Sequence, residues 1–217
     1  MRSLQPQLRL WDISPPVHEG TPVFPGDTPY QQRWAATISP DCPVNVSEIK
    51  LSPHVGAHAD APLHYGAEGQ AIGLVDLAPF LGPCRVIHAI AKGPLIEWEH
   101  IAHAVDSTLP PRVLVRTYTA MPVGQWDPQL AAYAPATVER LAAMGVKLIG
   151  IDTASIDPAD SKTLESHQRI RRLDLRVLEN LVLDEVPEGD YELIALPLKL
   201  VSADASPVRA VLRELPR

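Results

Sequence analysis

Short apolar runs rich in β-branched residues recur along the chain, at 48–52, 84–90, 112–116, 146–151 and 191–196. Their length and content predict strands. Between them lie helical patterns, one over 98–105 and a clearer one over 135–144, where Pro135 suits the first turn and Gly145 the position after the end. The second helix runs straight into the segment Val146 to Asp152, whose nearly continuous apolar character implies burial on both faces. The alternation predicts a mixed α/β class. No fixed-period repeat, low-complexity tract or linker interrupts it, so residues 1–217 read as a single domain.

Proline changes the picture at the N-terminus. Twenty-three prolines are present and they cluster at 14–16, 21–29 and 41–43. Aliphatic residues are plentiful alongside them, so the expectation for residues 1–45 is an ordered, turn-rich arm rather than disorder. The net charge of −7 and the absence of a basic tract argue against nucleic acid or an anionic membrane surface as partner. A small molecule is the expected partner. No run approaches the roughly 20 apolar residues of a membrane span, and the first ten residues lack the apolar stretch of a signal peptide. With Cys42 and Cys84 as the only cysteines, the expected location is the cytoplasm.

The densest chemistry lies between His54 and His64, which reads His-Val-Gly-Ala-His-Ala-Asp-Ala-Pro-Leu-His. Three imidazoles and a carboxylate in eleven residues form a ligand set for a divalent ion such as zinc. A helix fails to bring them together, because Asp60 would leave the face shared by His54 and His58, and Pro62 would break the turn. A strand puts His54, Gly56, His58, Asp60 and His64 on one side of the pleat. A straight strand would nevertheless separate His54 from Asp60 by about 20 Å. The chain must therefore bend near Gly56, giving a loop that enters a short strand. His54, His58 and Asp60 would then supply three ligands and leave a fourth position open, the arrangement of a catalytic zinc. His64, beyond Pro62, is either a fourth ligand or a general acid/base.

A second group of ligand-type residues spans Ser166 to Glu179 and looks mostly helical. In one continuous helix His167 and Glu179 would lie about 18 Å apart along the axis and about 120° apart around it. They share an ion only if the chain folds back, most naturally near 173–175. On its own pattern the segment reads as an amphipathic helix with polar residues on its wet face.

The series His54, Gly56, His58, Asp60, Pro62 and His64 resembles the signature of the cyclase family of metal-dependent hydrolases. Segments similar to the family continue at Trp11-Asp-Ile-Ser, Phe24-Pro-Gly-Asp, Gly150-Ile-Asp-Thr, Leu196-Pro-Leu and Ser206-Pro-Val-Arg. The resemblance implies a swivelling β/β/α-type fold, a homodimer contacted by the N-terminal arm, and two zinc ions per subunit, with manganese as the alternative metal. It assigns His54, His58 and Asp60 to the first ion and His167 with Glu179 to the second, Asp60 and Glu179 being candidate bridges. It also makes His64 the acid/base.

Within the family the branch most similar hydrolyses N-aryl formamides. The implied reaction converts N-formyl-L-kynurenine to L-kynurenine and formate in tryptophan degradation. Zinc lowers the pKa of bound water to about 7 and polarises the carbonyl under attack. Two positions depart from that branch. Phe24 stands where a tryptophan would stack on the substrate ring, and it offers a smaller face for substrate binding. Ala59 stands where cysteine is common, but it points away from the ligand face.

Two rival readings remain. Beside the formamide reading stand a related amide or lactam hydrolase acting on an isatin-like ring, and a metal-binding dimer without catalysis. The open fourth position argues against the last, since structural zinc sites are closed. His18, His88, His100 and His103 read as loop, core or surface residues. Asp152, Ser155 and Asp157 read as turn chemistry at a strand end.

Overall fold

The apolar runs pair into one long sheet. In a computed structural model, which describes residues 8–215, the strands are β1 (Leu10–Asp12), β2 (Gln31–Ala36), β3 (Val46–Lys50), β4 (His58–Asp60), β5 (Leu81–His88), β6 (Leu95–Ile96) and β7 (Arg112–Arg116). They continue as β8 (Ala132–Tyr133), β9 (Leu148–Ile151), β10 (Arg176–Glu179), β11 (Gly189–Ile194), β12 (Ala205–Pro207) and β13 (Val211–Glu214). Three α-helices accompany them, α1 (Trp98–Ile101), α2 (Pro135–Ala143) and α3 (Glu165–Arg172). The helix expected over 98–105 survives as one α turn followed by a 3₁₀ turn over Ala102–Ala104.

Nine strands form the main sheet in the order β1-β13-β11-β5-β7-β9-β10-β4-β12. Its centre, β5-β7-β9-β10, is parallel, and antiparallel strands close both sides. Burial follows the pleat. Leu114, Leu148 and Leu178 face one core, with Phe80, Ile13 and Leu193. Val113, Val115, Ile149, Ile151 and Val177 face the other, where α2 and α3 cover them with Val138, Leu141 and Ile170. Each such side chain contributes about 1.5–3 kcal/mol when fully buried, and all four residues of β9 are buried. This meets the expectation for 146–152.

Pro135 does occupy the start of α2, and Gly145 follows its end at φ +92°, a value that favours glycine. Of the expected arm, residues 1–7 lie outside those described. The rest contributes β1 to the sheet edge against β13 and, with the residues after it, a separate β2–β3 hairpin whose Trp34 and Ile49 are exposed.

Candidate metal centre

Strand β4 lies between β10 and β12, and that neighbourhood assembles the site. Its register with β10 sets His58 opposite Glu179 and Asp60 opposite Val177, while β12 begins one residue after Asp204. Side chains alternate along a strand, so His58, Asp60 and Glu179 emerge on one face. The bend required of the 54–60 segment is present. Gly56 has φ +64°, and a Cβ there would lie 2.7 Å from Val17 Cγ2. Only glycine meets both demands. Residues 53–57 turn, and the strand starts at His58.

The fold-back that His167 and Glu179 need is also present. Helix α3 ends at Arg172, Asp174 takes φ +52°, and the chain returns as β10. Aspartate tolerates this left-handed conformation better than most residues. Glu179 is therefore a strand residue, although the sequence pattern across 166–179 reads mostly helical.

His58, Asp60, His167 and Glu179 are 1 %, 1 %, 2 % and 3 % exposed. Their contacts have one logic. His58 Nδ1 donates to the Gly56 carbonyl at 2.9 Å, so its Nε2 carries the bare lone pair. His167 Nδ1 donates to Asp157 Oδ2 at 2.7 Å, freeing its Nε2 in the same way. His54 Nε2 donates to Asp204 Oδ2 at 3.0 Å, leaving Nδ1 bare.

Those three bare nitrogens converge on two carboxylates that divide their oxygens between them. His54 Nδ1 and His58 Nε2 lie 3.0 and 3.4 Å from Asp60 Oδ1, and His58 Nε2 lies 3.2 Å from Glu179 Oε2. On the other side, His167 Nε2 lies 3.4 Å from Asp60 Oδ2 and 3.5 Å from Glu179 Oε1.

Donors bound at roughly 2.0–2.1 Å around one tetrahedral ion stand about 3.3 Å apart. The observed spacing fits that edge. The buried atoms His58 Nε2 and Asp60 Oδ1 have no hydrogen-bond partner, and a lone pair facing a carboxylate oxygen is repulsive without a cation between them. The donor set therefore fits a divalent cation, and ligand atoms within 4.8 Å of one another gather in two groups, His54 with Asp60 and His64, and His58 with Asp60 and Glu179.

The electrostatics point the same way. Burial opposes the charge on His54, yet the negative carboxylates of Asp60 and Asp204 beside it push its pKa up to about 10, so without a cation the ring keeps a proton there instead. Burial likewise opposes ionisation of Asp60, but His167 and His54 hold it well below the carboxylate range. Glu179 is lowered by His167 and His58 against both burial and the charge of Asp60. The cluster seeks positive charge.

His64 stands apart from the buried four. It is more exposed, its ring centre lies 4.2 Å from that of His54, and its Nδ1 faces the same Asp204 Oδ2 at 3.2 Å. A nitrogen of His64 comes within 4.8 Å of ligand atoms on His54 and Asp60. Its tie to Asp204 and its exposure nevertheless set it toward the cavity rather than into the cluster.

That cavity, of about 1050 Å³, is lined by His54, His58, His64, His167 and Glu179 together with Phe24 and Trp126. The two aromatic rings meet edge to face at 5.1 Å. An indole thus lines the same wall as Phe24, and it comes from a distant loop. Leu164, also on the lining, adopts a left-handed conformation at φ +49°, a backbone strain that clusters at functional sites.

Three residues escaped the sequence reading. Asp157 was legible only as turn chemistry, yet it accepts from the backbone N–H groups of Ser166 and His167 as well as from the His167 ring. Asp204 gave no signal, because no ligand spacing connects it to residues 140 or more positions away. Trp126 was an unremarked aromatic. Asp152 is structural as expected, accepting from Thr117 and Tyr118. His18 and His100 are held in local contacts, while His88 Nε2 faces the Val186 carbonyl and His103 Nε2 faces Glu188 across the fold.

Comparison with known proteins follows the same lines. Residues 11–158 match the Cyclase family. The chain is 78% identical over 207 residues to the kynurenine formamidase of Delftia acidovorans, covering 95% of this chain and 98% of that one. Among solved structures it superposes with a TM-score of 0.82 on a "Potential Metal-Dependent Hydrolase With Cyclase Activity" at 26% identity, covering 97% of this chain and 100% of the other. Isatin hydrolase A from Ralstonia solanacearum also superposes at 0.82, at 20% identity, over 96% of this chain and 92% of its own.

Proposed function

The chain belongs to the cyclase family of metal-dependent hydrolases, and on that premise we propose that it hydrolyses N-formyl-L-kynurenine to L-kynurenine and formate. The observation that carries this reading is the convergence of three bare imidazole nitrogens on Asp60 and Glu179 at one side of an aromatic-walled cavity. Zinc, two per subunit, is the ion proposed for the two ligand sets, with manganese second; imidazole and carboxylate ligands suit both. Such ions supply acidified water at neutral pH and a charge that polarises the formyl oxygen.

The chain's own residues then have separable tasks. Asp60 and Glu179 each present one oxygen to either ligand set, which fixes the spacing of the two. The Gly56 carbonyl, Asp157 and Asp204 hold the three imidazoles in the tautomers that leave their inner nitrogens bare. Phe24 and Trp126 offer aromatic edge and face to the substrate ring. His64, with Nδ1 held by Asp204, presents Nε2 as the donor that protonates the departing aniline nitrogen. Without that proton the amine is a poor leaving group.

Hydrolysis of an isatin-like lactam is the second reading. It is favoured by shared shape with isatin hydrolase at 20% identity, whereas the formamide reading draws on 78% identity across nearly the whole chain. Turnover of N-formyl-L-kynurenine and of isatin by the same metal-loaded preparation decides between them. Formamide cleavage that disappears with a chelator and returns with zinc is the expected result. Cleavage of isatin alone would overturn it.

A cytoplasmic homodimer completes the proposal. Both cysteines are free thiols, as a reducing compartment implies. Among the described residues no helix is long and apolar enough to cross a membrane. The exposed Trp34, Ile38 and Ile49 on and beside the β2–β3 hairpin support a contact through the N-terminal segment.

A further inference from the structure

Beyond the metal cluster, almost every charge on the cavity lining is acidic and already engaged. Asp27 accepts from Ser52, Asp127 from Tyr118 and the Gln129 N–H, Asp152 from Thr117 and Tyr118, and Asp204 from His54 and His64. Two charges are uncommitted among the described residues. Lys162 is the one lysine or arginine on the lining, it is exposed, and it stands in no ion pair. Asp160, two residues earlier on the same loop, also lines the cavity and accepts no hydrogen bond.

The loop that carries them is anchored. Ser161 N–H donates to the Pro158 carbonyl, and Leu164 N–H donates to Ser161 Oγ. Directly after it, α3 carries His167. An anchored loop backbone thus carries two free, opposite charges on the lining of the cavity that the proposed metal ligands also line.

We infer that Lys162 binds the α-carboxylate of an amino-acid substrate, with Asp160 facing its ammonium group, so that this loop selects zwitterionic aryl formamides. The inference rests on the formamidase reading and deepens it. Outside the proposed metal ligands the lining is acidic, which disfavours a substrate carboxylate there, and the one unpaired side-chain cation gives that carboxylate a favourable place away from the metal ligands. At about 1050 Å³ the cavity slightly exceeds the range of roughly 300–1,000 Å³ that drug-sized ligands take. It has room for an aryl ring and an extended polar arm together.

The test compares two substrates on the metal-loaded enzyme: N-formyl-L-kynurenine, and N-formyl-2-aminoacetophenone, which keeps the aryl formamide and lacks the amino-acid arm. Lys162→Met is expected to raise KM for the first about tenfold, as loss of one charge-assisted hydrogen bond implies, with kcat unchanged. Both constants for the second substrate stay at wild-type values, which also reports intact folding, and Lys162→Arg restores most of the loss. An equal change for both substrates, or none for either, overturns the assignment of Lys162 while leaving the formamidase reading in place. A wild-type enzyme that cleaves neither formamide overturns both.

Discussion

Glu179 stands directly across the β4–β10 ladder from His58, with Oε2 3.2 Å from His58 Nε2. Two residues 121 positions apart in sequence are thereby made neighbours by backbone pairing, and the pairing is what gives the cluster its second carboxylate. Replacing Glu179 with Gln keeps the shape and removes the charge. The expected outcome is a bound-metal content reduced by about one ion per chain, with activity lowered at least as much as the 10- to 100-fold typical of outer-shell changes. Metal analysis of the purified variant checks it, and an unchanged metal content would refute the bridging role.

Asp157 holds the imidazole of His167, a proposed metal ligand, at 2.7 Å. Asn at this position can still accept from the helix N–H groups, but it no longer fixes the imidazole tautomer as a charged acceptor does. Asp157→Asn is therefore expected to weaken metal affinity about 10- to 100-fold with little change in thermal stability of the metal-loaded protein. Titration with a competing chelator measures the first quantity. A fall in stability with affinity intact would make Asp157 a mere helix cap.

His64 and the buried histidines should separate in kinetics. Loss of a general acid costs about 10²- to 10⁴-fold in rate, so His64→Ala is expected to lower kcat in that range while both metals stay bound. Loss of metal together with activity would instead place His64 among the ligands.

Gly56 carries the bend that makes His54 a member of the site. Gly56→Ala forces a Cβ into a left-handed residue and against Val17. A cost of about 1–3 kcal/mol is expected, or a fall in Tm of several degrees for a chain of this size, accompanied by weaker metal binding. Calorimetry of the loaded and chelated forms reads both effects.

The ionisation of the cluster predicts a pH dependence that differs between the metal-free and metal-loaded forms. His54 is raised in the folded chain from its ordinary 6.5 to about 10. Its stabilising contribution is fully present below pH 6.5 and is lost as the pH climbs through about 10. Asp60, held well below its ordinary 3.8, contributes above that value and loses its contribution in acid. The metal-free protein should accordingly lose stability between pH 6.5 and 10. Bound ions replace the protons, so the loaded protein should hold its Tm across that window. Parallel melting profiles for the two forms would count against the cluster as a cation site.

Much of this was legible in the chain. The spacing from His54 to His64, tested against helix and strand geometry, required a bend at Gly56 and an extended segment after it, because only one backbone path lets those side chains meet. Strand 112–116 and the helix over 135–144 followed from apolar period and terminal residues, which are local properties. The resemblance of the motif added His167 and Glu179, which the pattern across 166–179 alone would have left on a helix.

The tertiary structure decided what local pattern cannot carry. Glu179 reaches His58, and Asp204 comes within reach of both His54 and His64, because β10 and β12 flank β4. Strand neighbours are chosen by the packing of the whole sheet, not by sequence distance. Trp126 and Lys162 reach the cavity from loops for the same reason. Short-range sterics and side-chain spacing brought His54, His58 and Asp60 together. Long-range pairing, which no single segment encodes, supplied the second carboxylate, the groups that orient the imidazoles and the walls of the cavity.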